Sequence, residues 1–515
     1  MSTSIGDIVG SLSPAVVAYA VFAITIVHYA WTVTYRLYFH PLTRIPGPLF
    51  ARITYLYSFY YNFWNPGRFY MTIEELHKQY GPIVRVTPDE IHLRDPENYD
   101  KIYYIGSKYY KSPAFYHAFG TDKATFTTAS NEVHRAKRAA LNPFFSRKRV
   151  LELEEVVQAK AIKLESRIRS ALNGEGHIDL HHGFRAVSVD VITDYAFNNC
   201  YDFLERADFG VEFFNMIRDF GPGFWFFQQF PATQPIAFGL PFWLVKMVDG
   251  PLKRMMMLQN SSREQILRVK REVDSGEESS KTRPTIFHRL LSPDAADEYI
   301  VPTVDELKDE AYIIVAAAAD TTGNAMTVAT YNVVLNQDIY IQLTTELKNA
   351  FPDPSANLDF ATLEKLPYLT AVIKEALRLS YGVIGRLPRV VPESGAEFHG
   401  YHVPPGTLVS MSSWTMHRNE DLFPGPEEFK PSRWMDPSAA IKNLDHYLVS
   451  FGKGSRQCVG MPLAYCELYV TLGRIFRHFD NLSTDHKSVE DLLYSDYFSS
   501  YHSEKGNKFD FRQAV

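Results

Sequence analysis

One segment constrains this chain more than any other: Phe451-Gly452-Lys453-Gly454-Ser455-Arg456-Gln457-Cys458-Val459-Gly460, with Pro462 just beyond it. A lone cysteine is ordinarily a small buried hydrophobe. Here each special neighbour has a task around the sulfur. Gly454 permits a tight turn, Gly460 lets backbone approach the sulfur, and Pro462 suits the first turn of a following helix, whose unpaired N–H groups and dipole stabilise a thiolate. Phe451 can cover the sulfur side and keep water off it, and Arg456 can pair with an anionic group bound beside the thiolate. A chance match to these positions in a chain this long is on the order of one in ten thousand. Cys200 and Cys466 have no such surroundings and read as packing. Three scattered cysteines are too few for a disulfide framework and point to a reducing compartment.

The 515 residues are 46% hydrophobic and 22% charged, too apolar for disorder and long enough for a large core. A net charge of -6 gives no support to nucleic-acid binding and favours a neutral partner or substrate. The N-terminus is anomalous: from Ile8 to Tyr35 there is no Asp, Glu, Lys or Arg, and Ala15 to Val27 is almost wholly apolar. That is long enough to span a bilayer. A cleaved signal peptide is the alternative, but no basic region precedes the stretch and its length exceeds a usual signal core, which favours a retained anchor. Arg36, Arg44 and Arg52 follow the span and no Lys or Arg precedes it, so the bulk of the chain is expected in the cytosol. The expected division is an anchor over 1–35, a Pro-rich connector over 36–50 and one catalytic domain over 51–515.

His40-Pro41-Leu42-Thr43-Arg44-Ile45-Pro46-Gly47-Pro48 reads as a stiff extended connector. Periodicity predicts helices over Leu151 to Leu172, Val304 to Leu335, Gln337 to Ala350 and Leu363 to Leu379, the second opened by Thr303 and Glu306 in capping-box spacing. Short strands are predicted near Ile83 to Thr87, Glu90 to Arg94, Ala396 to Gly400 and Thr407 to Met411. The fold class is therefore mainly α with a small β-sheet. Asp274 to Arg283 reads as a surface loop, and the Phe-, Trp- and Pro-dense stretch Gly221 to Val245 as either core or a patch dipping into a membrane.

The cysteine segment resembles the haem loop of the cytochrome P-450 superfamily, which reads Phe-x-x-Gly-x-Arg-x-Cys-x-Gly, and the match is full. The resemblance implies that fold, with one N-terminal transmembrane helix, and haem b (iron protoporphyrin IX) as cofactor. Cys458 is then the proximal iron ligand, whose electron-rich thiolate helps cleave the O–O bond of dioxygen, and Arg456 a partner of a haem propionate. Ala317-Ala318-Ala319-Asp320-Thr321-Thr322 lies mid-way in the Val304 helix. Read alone, Asp320 is a satisfied core carboxylate and Thr321 a residue bonding back to its own turn. The resemblance instead makes them a proton relay at a loosened part of the helix, Asp320 as proton source and Thr321 as the group ordering water. Ala318 stands where the family usually has Gly. His134 and Arg138 resemble a family Trp-x-x-x-Arg pair on a propionate, with His134 departing from it, and Arg389 occupies the position that pairs the other propionate. Glu375 and Arg378, with Arg433, resemble a structural Glu-x-x-Arg and Arg lock.

The implied reaction inserts one oxygen atom from O2 into an apolar small molecule, with electrons from NADPH through a membrane-bound NADPH-cytochrome P-450 reductase. The site is the endoplasmic reticulum membrane, the catalytic domain facing the cytosol. Exposed Arg135, Lys137 and Arg147 to Arg149 are candidates for meeting an acidic redox partner. The run from His134 to Phe145 is most similar to fungal enzymes of secondary metabolism, which suggests a terpenoid or polyketide substrate. Substrate contacts are expected from the loop before His134, the Phe-rich stretch and Val383 to Leu387. A haem-thiolate isomerase or dehydratase would keep Cys458 but has no need of the Asp320 and Thr321 relay. A non-catalytic haem-binding membrane protein would show no turnover.

Overall fold

In a computed structural model the chain is described over residues 13–65, 67–174, 176–248, 250–276, 285–292, 301–485, 493–502 and 510–513. The first five residues of the uncharged stretch and most of the loop expected over Asp274 to Arg283 lie outside these. Helix α1 (Pro14–Thr34) is capped by Ser13, whose side chain accepts from the Val16 N–H, and has no buried residue. With the turn that follows it forms an apolar segment, Pro14–Phe39, long enough to cross a bilayer.

The connector turns instead of running straight. Bonds from Thr43 N–H to His40 O and Ile45 N–H to Leu42 O curl it. That drives Leu42 and Ile45 into the same small core as Ile83, Ile91 and Val409. Burying two such side chains is worth roughly 1.5–3 kcal/mol each, more than an extended, solvated connector gains. Arg36 Nη1 donates to Ile53 O at 2.6 Å and Arg85 Nη1 to Arg36 O at 3.2 Å, so the end of α1 is fastened to the sheet.

That sheet has β1 (Ile83–Arg85), β2 (Glu90–Leu93), β3 (Tyr110–Lys111), β4 (Arg389–Val390) and β7 (Leu408–Ser410) in the order β1-β2-β7-β4-β3, with β5 (Ala396–Phe398) and β6 (Tyr401–Val403) as a hairpin beside it. Only β2 and β7 run parallel; the other neighbours are antiparallel. A second hairpin pairs β8 (Tyr494–Tyr497) with β9 (Ser499–His502).

Most of the rest is helical, including α2 (Asn131–Leu141), α3 (Arg147–Asn173), α4 (Leu180–Phe197), α5 (Val211–Gln229), α6 (Thr233–Gly239), α7 (Phe242–Val245), α8 (Pro251–Asp274), α9 (Val304–Leu335), α10 (Gln337–Ala350), α11 (Pro367–Ser380) and α12 (Met461–His478), and the short strands Ile178–Asp179, Leu482–Ser483 and Asp510–Gln513 form a separate three-stranded sheet. α9 keeps its sequence-predicted limits because its ends are chemical. Thr303 and Glu306 close a capping box, and Asn336 ends α9 while its Oδ1 accepts from the Ile339 N–H to start α10. α11 begins at Pro367, later than expected, because a proline fits the first turn. α9 is buried on nearly all sides between α4, α8, α11 and α12. The aromatic stretch Gly221 to Val245 divides: Phe224 and Trp225 are core, whereas Ile236 and Trp243 are each 69% exposed.

Candidate active site

The cysteine loop folds as its glycines require. Gly454 has φ +71°, and a Cβ there would lie 2.5 Å from the Tyr104 carbonyl, so only glycine fits. One 3-10 turn, Gly454–Arg456, brings the chain to Cys458, whose N–H donates to Phe451 O at 2.9 Å. α12 starts at Met461 with Pro462 in its first turn, and the N–H groups of Gly460 and Met461 lie near enough to Cys458 Sγ to favour its thiolate. Burial pushes the Cys458 thiol up; the Gly460 N–H, the Arg138 charge and the Met461 N–H pull the other way. The residue is exposed although protein surrounds it closely, so its sulfur is free to take a ligand. The steric reason expected for Gly460 is absent: a Cβ would meet Sγ at 3.9 Å, an ordinary contact, and its N–H is supplied by any residue but proline. The Phe451 ring rests on Tyr465, centroids 5.3 Å apart, and its fixed hold on the cysteine is through its carbonyl.

Beside this thiol stand four cations. Arg456 donates through Nη1 to Thr128 O at 2.7 Å and through Nη2 to Ala129 O at 2.9 Å, while its buried Nε has no partner among the described residues. Arg389, buried on β4, donates to Tyr116 Oη at 2.8 Å. Arg138 Nε donates to Asn142 Oδ1 at 2.6 Å. The fourth, Lys111 on β3, was not singled out from the sequence. It is 4% exposed, with Nζ 3.9 Å from the Phe126 ring centre and 4.2 Å from that of Tyr116. Burial drives its ammonium well below the ordinary range, and Arg389, Arg456 and Arg138 push the same way. His134 lies in the same field: burial and then Arg456, Lys111, Arg138 and Arg389 lower it to about 3. It is therefore neutral, a hydrogen-bond donor and not the added cation it can be taken for in sequence. Among the described residues none of the four cations is in an ion pair. Like charges so placed repel each other, and two carboxylates would relieve them. A thiol with two N–H donors, beside cations suited to two propionates, fits a haem.

α9 reaches the same group, because Glu310 acts on Arg138 and its Oε2 accepts from the Thr125 N–H at 2.7 Å. Two turns on, Ala317 is exposed although most of the helix around it is buried. Thr321 Oγ1 donates to Ala317 O at 2.9 Å. The expected loosening is not a break, since α9 is α-helical throughout. Asp320 points to the other side. It pairs with Arg185 of α4, which a missing Cβ at Gly323 allows to approach, and its Oδ2 has no partner among the described residues. There it borders a cavity of about 760 Å³ that also meets His181, His182, Asn324 and His502. Nothing local marks Arg185 in sequence, since its partner is 135 positions away.

Behind the cysteine loop, Glu375 accepts from Arg378 Nε and Nη2 (2.9 and 2.8 Å), Arg433 Nε (2.9 Å), Trp434 Nε1 (2.9 Å) and the Lys430 N–H (2.9 Å). This is the expected lock, and it is structural.

A sequence model of the cytochrome P450 family matches residues 50–507. The chain belongs to the cytochrome P450 family. The cytochrome P450 monooxygenase MO6277 of Ascocoryne sarcoides is 38% identical over 87% of this chain and 89% of its own. Conidiogenone synthase PchP450 of Penicillium rubens is 34% identical over 87% and 89%, and tryptophan 6-hydroxylase fscE of Fusarium equiseti 35% identical over 88% and 89%. As a cytochrome P450 the chain is a haem-dependent oxygenase acting on O2 and a small molecule. Of the basic residues suggested for a redox partner, Arg147 and Arg149 already pair with Glu364 and Glu152, and Lys137 with Glu306; Arg135 and Lys148 are exposed.

Proposed function

We propose that this cytochrome P450 is a membrane-anchored monooxygenase that hydroxylates or epoxidises an apolar terpenoid or polyketide of fungal secondary metabolism. Electrons come from NADPH through cytochrome P-450 reductase at the endoplasmic reticulum. The observation that carries the reading is the Cys458 thiol held by two N–H groups beside four cations. In this reading Cys458 holds the iron and Arg456, Arg389, Arg138 and Lys111 the propionates, with His134 as a neutral donor. The haem supplies dioxygen binding and activation once reduced.

The chain's own residues then manage protons and water. Asp320, held by Arg185 on the cavity side of α9, takes a proton from water there and passes it on to water that Thr321 Oγ1 orders, so that the hydroxyl positions the relay without keeping the proton. The Ala317 carbonyl fixes that hydroxyl so that its lone pairs face incoming water. Thr321→Ala is expected to keep the haem spectrum but to release hydrogen peroxide, lowering product formed per NADPH by at least about tenfold. Measuring NADPH, peroxide and product together checks this, and unchanged coupling would count against the relay.

The anchor (1–35), connector (36–50) and catalytic domain (51–515) set the domain on the membrane. Trp64 (70% exposed), Phe50 (64%), Trp243 and Ile236 supply exposed apolar surface, and the segment that carries Trp64 packs on α5 and the residue after it through Phe63 against Phe226 at 6.3 Å and Phe59 against Phe230 at 5.5 Å. Such a patch enters the bilayer interface beside α1. With the domain in the cytosol, the sequons at Asn260 and Asn481 stay unmodified. A glycosidase-sensitive mass shift on either would overturn the orientation.

A further inference from the structure

The cavity beside Asp320 holds an imidazole–carboxylate pair that no step of the relay uses. Asp179 caps α4: its Oδ1 accepts from the His182 N–H at 3.1 Å, and its Oδ2 meets His182 Nδ1 at 2.6 Å. A carboxylate has no hydrogen to give, so Nδ1 carries the proton of that bond and Nε2 is the nitrogen left to exchange one. His182 and Arg185 stand at i and i+3 on one face of α4. Phe214 of α5 backs both, its ring centre 6.0 Å from that of His182 and 4.2 Å from Arg185 Cζ. Arg185 in turn pairs with Asp320. The pair is thus set a single helical turn from the group that holds the relay carboxylate.

The surroundings single out His182 among the imidazoles of the cavity. His181 gives its Nδ1–H to Thr327 Oγ1 at 3.0 Å, because that hydroxyl already donates to Gly323 O at 2.9 Å. Burial, and then Arg185, His502, His182 and Arg218, hold the His181 ring well below the ordinary imidazole range, so it stays neutral. His502 Nε2 donates to Asn324 Oδ1 at 2.6 Å, and His177 is exposed at the rim. Arg167, Arg185 and Arg218 along the lining are matched in number by Asp179, Asp208 and Asp320, and Tyr501 adds a phenol, so the fixed charges balance. Against that even background the Asp179 carboxylate, bonded directly to the ring, favours a positive charge on His182, whose side chain is 13% exposed.

Asp320 Oδ2, buried and without a partner among the described residues, borders the same cavity and suits a water. The rim residues Ser170, Gly174, His177 and Asp208 are exposed, so the cavity opens to bulk water. We propose that His182, oriented by Asp179, is a positioning residue of the relay that holds the proton with which Asp320 is recharged. The imidazolium gives its Nε2 proton to water in the cavity, that water gives one to the Asp320 carboxylate, and the neutral ring regains a proton from bulk water at the rim. One proton moves inward per cycle and the pair ends as it began. This rests on the relay of the monooxygenase reading and names the group that feeds it.

The test follows peroxide released per NADPH by the haem-loaded full chain with cytochrome P-450 reductase and no organic substrate. Deuterium exchange at the imidazole C2 positions, read by mass spectrometry, reports protonation of each ring without turnover. In wild type the peroxide share is expected to rise with pH across about pH 5–8, as the ring loses the proton it passes on, and in His182→Gln to be high and flat. Exchange is expected to show His182 taking up a proton within that window and His181 taking up none, with Asp179→Asn weakening proton uptake by His182 about tenfold. A His182→Gln profile matching wild type overturns the proposal, as does a wild-type His182 ring that takes up no proton in the window, a result that needs no variant to fold. If Thr321→Ala still releases peroxide in either case, the relay stands without His182. Wild-type peroxide release by Thr321→Ala overturns the relay and this role together.

Discussion

Cys458→Ser is expected to abolish monooxygenation while leaving part of the haem bound. The variant removes the sulfur but none of the four cations, so propionate binding through Arg456, Arg389, Arg138 and Lys111 persists and haem content falls without vanishing. What disappears is the thiolate. A serine hydroxyl at this place accepts the same Gly460 and Met461 N–H groups but stays protonated, and it cannot donate electron density toward O–O cleavage. The loss should exceed the roughly 10–100-fold typical of changes outside the ligand itself. Haem absorbance, the carbon monoxide spectrum and turnover measured on one preparation separate the two effects. Residual activity near that of wild-type protein would mean that Cys458 is not the ligand.

The second large effect is on folding. Glu375 is 0% exposed and pairs with both Arg378 and Arg433, also buried. Arg378 further donates to the carbonyls of His417, Pro426 and Glu428, so one carboxylate organises the whole 417–434 segment. Glu375→Gln leaves two buried guanidinium groups short of a counter-charge, which costs about 3–5 kcal/mol out of a typical ~5–15 kcal/mol for a whole protein. The variant is expected to melt well below wild type and to load haem poorly. A melting temperature within a few degrees of wild type would refute the lock. Acid sensitivity follows from the same site. Burial raises the Glu375 carboxyl, but the hydrogen bond and charge of Arg378, with Arg433 and the Lys430 N–H, outweigh it and hold it below the ordinary range. A depressed carboxyl stabilises the fold above its unfolded pKa of about 4.3 and loses that contribution as pH falls through the folded value. Denaturation of wild type should therefore steepen below about pH 4, and Glu375→Gln should lose that part of the slope.

The sequence disclosed those parts of the site whose cause is local. The turn at Gly454, the start of α12 at Met461 and Pro462, and both ends of α9 are decided by residues within a few positions, and each is where the pattern placed it. What stayed hidden depends on the fold. Lys111 sits in a two-residue strand among tyrosines, and only the pairing of β3 with β4 brings it beside Arg389. Arg185 likewise gains meaning from a partner far along the chain. His134 carries no sign of its neutrality, because that comes from burial among four cations. The connector bends because Leu42 and Ile45 find a sheet core that the proline pattern does not announce.

Thiolate ligation of a haem by Cys458 is tested most directly by reducing the haem-loaded full-length protein and adding carbon monoxide. The expected result is the red-shifted Soret band of a thiolate-ligated haem, lost in Cys458→Ser. A freshly loaded wild-type protein that shows only the unshifted band would contradict it.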